Sequence, residues 1–401
     1  MNDMEKLLSA SLSRSVERAP TAPSDLLHRV DASRRRRRRG TAAAGAAAVA
    51  LVTVAGFVAT NAISHARPVP AEPASGIAKV EPIRKVWPGA VHTAPRTLPN
   101  GRPYTPERFL DKDTVLVRTE RDGNADRPDG LWAYHLDTRR AERLVAVQVP
   151  RGTVVSWSFA ALGDGQFVWW TLRKDGERRV VDIWAAPEKG GAQRRVTSFE
   201  GKPGRAEIGN LAVVEGKVVW SMFWDGGLFQ VPLSGGRPSK VEGTTGRHLL
   251  RWPWAASFQH PRKKKDPQTP PFGDLLNVLT GERRGVSLPV DDPRLPWDCV
   301  VTWCVRGDRA ATRDGSRERE LPGLTHDLPA LDRFVTVAMA EGSRPKGVAL
   351  VDLATGKTGD LGIRPVGDRM AAPTLSHTNP GLLQYELGGK LVLVDLTVAG
   401  R

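Results

Sequence analysis

Three hydrophobic patterns succeed one another along the chain. Residues 4–19 (MEKLLSASLSRSVERA) set Leu7, Leu8, Leu12 and Val16 at three- and four-residue spacings, which predicts a short helix with one apolar stripe. Residues 24–39 repeat that signal from Ser24, with Leu26, Leu27 and Val30 on one side, and end in a run of arginines. Residues 41–63 (TAAAGAAAVALVTVAGFVATNAI) carry no charge. As a helix rising about 1.5 Å per residue they would extend about 34 Å, enough to cross a hydrocarbon core of about 30 Å. From residue 81 the pattern changes to short runs of Val, Trp, Leu and Phe punctuated by Gly, Asp and Pro, which predicts strands and tight turns.

Those runs repeat as a unit. Residues 114–119 (TVLVRT), 130–136 (GLWAYHL) and 142–147 make one example. Residues 166–172 (QFVWWTL), 181–186 (VDIWAA) and 194–197 make a second, and 217–223 (KVVWSMF), 227–233 (GLFQVPL) and 238–241 a third. Middle strands recur at 274–279, 348–353 and 390–396. With Trp132, Trp184, Phe229, Leu276, Leu350 and Leu393 as markers, the spacings are 52, 45, 47, 74 and 43 residues. A period near 45 with several strands per unit predicts a β-propeller. The gap of 74 leaves room for an atypical unit around residues 299–321, so seven blades are expected, alternatively six. The chain stops too soon after residues 390–396 for an outer strand to follow. Residues 80–91 (VEPIRKVWPGAV) are therefore expected to pair with the last blade and fasten the ring.

Composition sharpens this outline. With 40 Gly and 31 Pro the chain is poorly suited to a helical bundle, and all 12 Trp lie between Trp87 and Trp303. The net charge is +15, and its densest part is the basic tail, residues 1–40, which ends in Arg34, Arg35, Arg36, Arg37, Arg38 and Arg39. Six arginines before an uncharged span are a topogenic signal. The positive-inside bias places residues 1–40 in the cytoplasm, 41–63 across the membrane as the transmembrane helix, 64–80 outside as a Pro-rich linker, and 81–401 outside as the propeller. Competing readings of the span are a cleaved signal peptide ending near Ser64-His65-Ala66 and a buried core helix. The tail either docks on a cytosolic partner through its apolar stripe, lies on the inner leaflet, or serves only as topogenic charge. Expected partners are the lipid bilayer and a protein at the tail, with no specific nucleic acid and no cofactor.

An arginine-terminated tail, an Ala-rich span, the KVWP segment at 85–88 and strands such as LWAYHL and ALVDL resemble the membrane-anchored propeller proteins of WD-repeat-like or TolB-like type found in high-GC bacteria. Proteins of that kind are often encoded beside extracytoplasmic-function sigma factors, so the resemblance implies a signalling role, with a sigma factor as the tail's partner. A tail this short falls below the length of a full helical anti-sigma domain.

The chemistry-bearing residues form no complete catalytic signature. Cys299 and Cys304 (WDCVVTWC) are the only cysteines, and outside the cell an isolated pair predicts a disulfide. The 355–358 stretch (TGKT) resembles the end of a phosphate loop, but Val351 stands where its first glycine belongs, so a turn is expected. Asp-Gly pairs at 122–123, 164–165 and 175–176 read as hairpin turns rather than calcium loops. The eight histidines are scattered, and neither H-E-x-x-H nor G-x-S-x-G occurs. Loop 259–272 presents Arg262, Lys263, Lys264 and Lys265 between prolines, a candidate contact for an anionic surface or partner. A propeller enzyme acting on an envelope glycan or lactone would bring Asp, Glu or His to the axis, whereas the recognisable inner strands carry mainly Val, Trp and Ser. The expected function is therefore a non-enzymatic binding or sensing module. The enzyme and a structural envelope scaffold are the alternatives.

Overall fold

The computed structural model describes residues 80–401, apart from 126, 158–159, 203–204, 258–271, 290–295, 326, 342–343, 368–369 and 376–380. The tail with its apolar stripe and arginines, the apolar span, most of the linker and Arg262 to Lys265 lie outside the described residues. Among the described residues no helix is long and apolar enough to cross a membrane.

Six antiparallel sheets follow one another and form a six-bladed, all-β propeller. Blade 1 comprises Tyr104–Phe109, Thr114–Glu120, Pro128–His135 and Ala141–Ala146. Blade 2 holds Thr153–Ser156, Ala161–Gly163, Gln166–Asp175, Arg178–Pro187 and Arg194–Gly201. Blade 3 is built from Ile208–Val214, Lys217–Met222, Leu228–Pro232 and Ser239–Lys240, and blade 4 from Arg247–Arg251, Trp254–Ser257, Leu275–Asn277 and Arg283–Arg284.

Blade 5 corrects the expected count of seven. Its strands Asp298–Cys299, Trp303–Thr312, Glu318–Thr325, Phe334–Glu341, Arg344–Asp352 and Thr358–Asp360 form one six-stranded sheet. Leu324 pairs with Ala338, so the atypical unit continues into the next sheet instead of closing as a blade of its own. Spacing along the sequence counts strands and cannot register that two sets share an edge.

The blades are held face to face by apolar side chains. The Thr114–Glu120 strand is buried at five successive positions, as a strand covered on both faces must be. Leu116, Leu131, Phe167 and Trp169 fill the space between blades 1 and 2, and Ile183, Val218, Trp220 and Val231 that between blades 2 and 3. Trp220 stacks between Phe199 and Phe229, with ring centroids 5.5 and 6.0 Å away. The repeat is visible at atomic level: Trp132 Nε1 donates to Thr119 Oγ1 (2.9 Å) and Trp184 Nε1 to Thr171 Oγ1 (3.0 Å), each thirteen residues earlier.

Blade 6 closes the ring with both ends of the chain. Leu382–Leu387 and Lys390–Asp395 form its first two strands, and Val91–Ala94 adds antiparallel to the second, Val91 opposite Val394 and Ala94 opposite Leu391. N-terminal closure was expected, but from residues 80–91. The pairing strand begins only at Val91, the last of them, because Ile83–Val86 is a helical turn that seats Trp87 edge-on against Phe334 at 6.2 Å. The last turn, Leu396–Ala399, is capped by the Asp395 carboxylate, which accepts from Thr397 N and Val398 N.

Candidate functional site

The first strands of blades 1, 3 and 4, two strands of blade 2 and two turns of blade 5 line a cavity of about 430 Å³. Its wall is largely apolar, with Trp169, Trp170 and Trp252 among the lining residues, and its polar residues other than tryptophan are Arg108, Asn210, Arg251 and Asp332. Arg108 and Arg251 stand on the first strands of blades 1 and 4, and Asp332 on a turn of blade 5.

Each polar lining residue stands where the backbone departs from regularity. In blade 1 the register slips between Pro106 and Arg108, so Glu107 bulges. A bulge puts two residues opposite one and re-aims the side chains around it. Blade 3 slips between Ile208 and Asn210, and blade 4 between Leu249 and Arg251. Gly209 sits in the blade 3 bulge, where a Cβ would lie 3.2 Å from the Phe223 Cα. Asp332 follows Leu331 in a tight turn in which Arg333 N donates to Ala330 O. Both central residues have positive φ, 52° and 58°, a region that non-glycine residues seldom adopt and that is stored strain of order 1–3 kcal/mol each.

The electrostatics divide these groups into committed and uncommitted ones. Asp332 Oδ1 accepts from Thr302 N at 2.7 Å and Trp303 N at 3.2 Å, tying the blade 5 hairpin to the cavity. Burial raises its carboxyl above the usual range, opposed by those N–H donors and by Arg251. Asn210 Nδ2 donates to the Leu249 and Leu250 carbonyls, both at 3.1 Å, which joins blades 3 and 4. The guanidinium groups of Arg108 and Arg251 have no hydrogen-bond or ion-pair partner among the described residues. Burial lowers the pKa of Arg108, and Glu107 and Glu188 counter it through space.

Behind the wall lies a second set of charges. Glu107 is fully buried and accepts from Trp157 Nε1 (3.2 Å) and from Ala160 N (2.8 Å), holding the blade 2 segment that contributes Ala160 to the cavity. Arg118 lies 3.6 Å from Glu107, donates to Trp157 O at 2.7 Å and pairs with Glu120 at 3.2 Å. Desolvation pushes the Glu107 carboxyl up, against Arg118 and the two N–H groups. This network positions the wall and does not face the cavity.

Cys299 and Cys304 are bonded to each other across a two-strand hairpin, beside buried Trp297 and Ala311. The hairpin's tip supplies Val300 and Val301 to the cavity. Arg313 fastens it from behind, donating to Val300 O (2.6 Å), Gly273 O (2.9 Å) and Phe272 O (2.6 Å). The 355–358 segment is a strand-joining turn, with Gly356 at φ 80° and its N donating to Asp352 O. No group of three His, Cys, Asp or Glu among the described residues is placed to hold a metal ion. A wider depression of about 630 Å³ on the flank of blade 1, near Trp132 and Arg139, draws its lining from that blade and from Pro99 and Asn100 just before it.

None of Arg108, Asn210, Arg251 and Asp332 was singled out from the sequence. The signal for three of them was present as Pro or Gly inside or beside a strand: Pro106, Gly209 and Pro253. For Asp332 there was none, since Leu-Asp is not the dipeptide a positive-φ turn prefers.

The class defined by fold and cavity is a β-propeller with a polar-studded axial pocket. No family model and no curated protein matches the chain. Solved structures of similar fold include an uncharacterized protein of Listeria monocytogenes (10% identity, TM-score 0.45, 77% of this chain and 96% of that one). Others are the WD40 domain of SCAP from fission yeast (10%, 0.36, 75% and 85%) and an oligogalacturonate lyase in complex with manganese (10%, 0.34, 72% and 76%). The similarity is one of fold.

Proposed function

We propose that the chain is a single-pass membrane protein whose extracytoplasmic propeller is a non-enzymatic binding and sensing module, with its ligand in the axial cavity. Residues 1–40 would contact a cytosolic protein, a sigma factor if the resemblance extends to function. The observation that carries the binding half is the cavity along the axis, in whose lining bulges and a strained turn place four polar residues. Irregular backbone of this kind is retained where it places a functional group. The non-enzymatic reading is supported by the chemistry of the lining: its carboxylate, Asp332, is engaged by two backbone amides.

The topology is tested with the full chain, C-terminally tagged, in bacterial cells. External protease on intact spheroplasts should remove the tag while the membrane fraction retains Met1 as its N-terminus; a tag that stays protected removes the extracytoplasmic reading. For the signalling half, the proteins that co-purify with the full chain are compared with those recovered after Leu7, Leu8, Leu12 and Val16 are all changed to Asp. One partner should be lost, and identical recoveries would remove the tail's role.

A further inference from the structure

The cavity's charge balance allows the ligand class to be narrowed, on the proposal above that the cavity is the binding site. We infer that the axial cavity takes a small organic monocarboxylate with a flat apolar body. Its volume of about 430 Å³ falls within the usual range for small-molecule sites, roughly 300–1,000 Å³. Two half-buried tryptophans, Trp170 and Trp252, stand in the lining and can offer flat apolar surface.

Two guanidinium groups face the same space without a partner among the described residues, and a guanidinium fork matches a carboxylate in two parallel bonds. The opposing charge is Asp332, half-buried in the blade 5 turn and held by Thr302 N and Trp303 N. Within the lining two guanidinium groups stand against one carboxylate, while behind it Glu107 and Glu188 act on Arg108 and Glu107 is itself answered by Arg118, a balance that leaves room for one negative charge and not two. A phosphate dianion would meet Asp332 with twice the repulsion and would want donors that Asn210 cannot give, because its amide is spent on the Leu249 and Leu250 carbonyls. Each charged lining group is placed by an irregular backbone held within a sheet or turn: Arg108 and Arg251 follow bulges and Asp332 follows a positive-φ residue. A site prearranged in this way loses little freedom when it binds.

The test is a ligand-observed NMR titration of the purified full chain with benzoate, its neutral isostere benzamide, and inorganic phosphate. Benzoate should bind saturably, benzamide roughly tenfold more weakly, and phosphate should not displace benzoate. Arg251 is exposed, so Arg251→Gln should fold; it should weaken benzoate by roughly tenfold while leaving benzamide unchanged, and Arg251→Lys should recover part of the loss. Arg108→Gln should act likewise, and if it does not fold, Arg251→Gln decides. Arg237→Gln, on the outer surface, should leave binding intact. Benzoate and benzamide binding equally well, in the native chain and in Arg251→Gln, would overturn the carboxylate inference and leave the binding reading standing. Failure of both probes would overturn both.

Discussion

Arg333 and Asp352 face each other in two parallel hydrogen bonds, Nε to Oδ1 at 2.6 Å and Nη2 to Oδ2 at 2.7 Å, with the carboxylate fully buried. The third arm of the guanidinium, Nη1, donates to the Gly400 carbonyl. One side chain thus joins blade 5 to the last turn of the chain, and it follows directly on the strained Leu331-Asp332 turn at the cavity.

Replacing Asp352 by Asn should destabilise the propeller by about 2–4 kcal/mol, because the Arg333 charge is left without its partner. Burial acts to raise the Asp352 carboxyl, but Arg333 and Thr355 hold it below its ordinary value of 3.8. A carboxyl lowered by folding contributes stability that is complete above the ordinary value and is lost as pH falls through it toward the folded one. The urea midpoint should therefore drop more steeply as pH falls below about 4 in the native chain than in Asp352→Asn. Parallel curves would show that the pair carries no linkage.

Arg313 is a buried cation whose donors meet three backbone carbonyls and no carboxylate. Burial lowers it to about 10, so it stays charged at neutral pH. Arg313→Met should cost about 2–4 kcal/mol by leaving the three carbonyls unpaired, and Arg313→Lys should recover only a fraction, since one ammonium cannot span them. Guanidinium denaturation of the two variants checks the order.

Gly163 of blade 2 packs directly against blade 3. A Cβ there would stand 2.4 Å from the Val213 carbonyl oxygen, an atom of the blade 3 first strand. Gly163→Ala should force the strands apart and lower stability by about 1–3 kcal/mol, read as a fall in Tm. Gly165→Ala, in the adjoining turn, has open space but a φ of 66° and should cost less.

The Cys299–Cys304 bond closes a loop of sequence separation 5, so it restricts the unfolded chain only modestly. Chain-entropy reasoning gives about 2 kcal/mol. Reduction should lower Tm by a few degrees and leave the far-ultraviolet spectrum of the folded chain unchanged. Complete unfolding by reductant alone would mean that the hairpin organises much more than its own loop.

Closure depends on Val91–Ala94 pairing with Lys390–Asp395. Disrupting that strand by changing both His92 and Thr93 to Pro, so that one of two successive N–H groups facing the ladder is lost, should open blade 6, expose an unpaired edge and broaden the denaturation curve. Size-exclusion chromatography should show aggregation that the native chain lacks.

Much of the architecture was legible in the chain. Strands such as QFVWWTL and KVVWSM are apolar enough to be buried on both faces, and a period set by Trp132, Trp184 and Phe229 needs only a repeat to be seen. The cysteine pair and the Asp-Gly turns are local signals, and each acts over a handful of residues. These the sequence determined by itself, because propensity, turn chemistry and spacing are properties of neighbours along the chain. What the fold alone decided is long-range. Leu324 meets Ala338 and makes one sheet of two expected units, Val91 meets Val394 across the whole propeller, and Arg108, Asn210, Arg251 and Asp332 come from four different blades to one cavity. No pairwise spacing encodes such a meeting. It follows from where bulges fall relative to the axis, which is set only when all six sheets have packed.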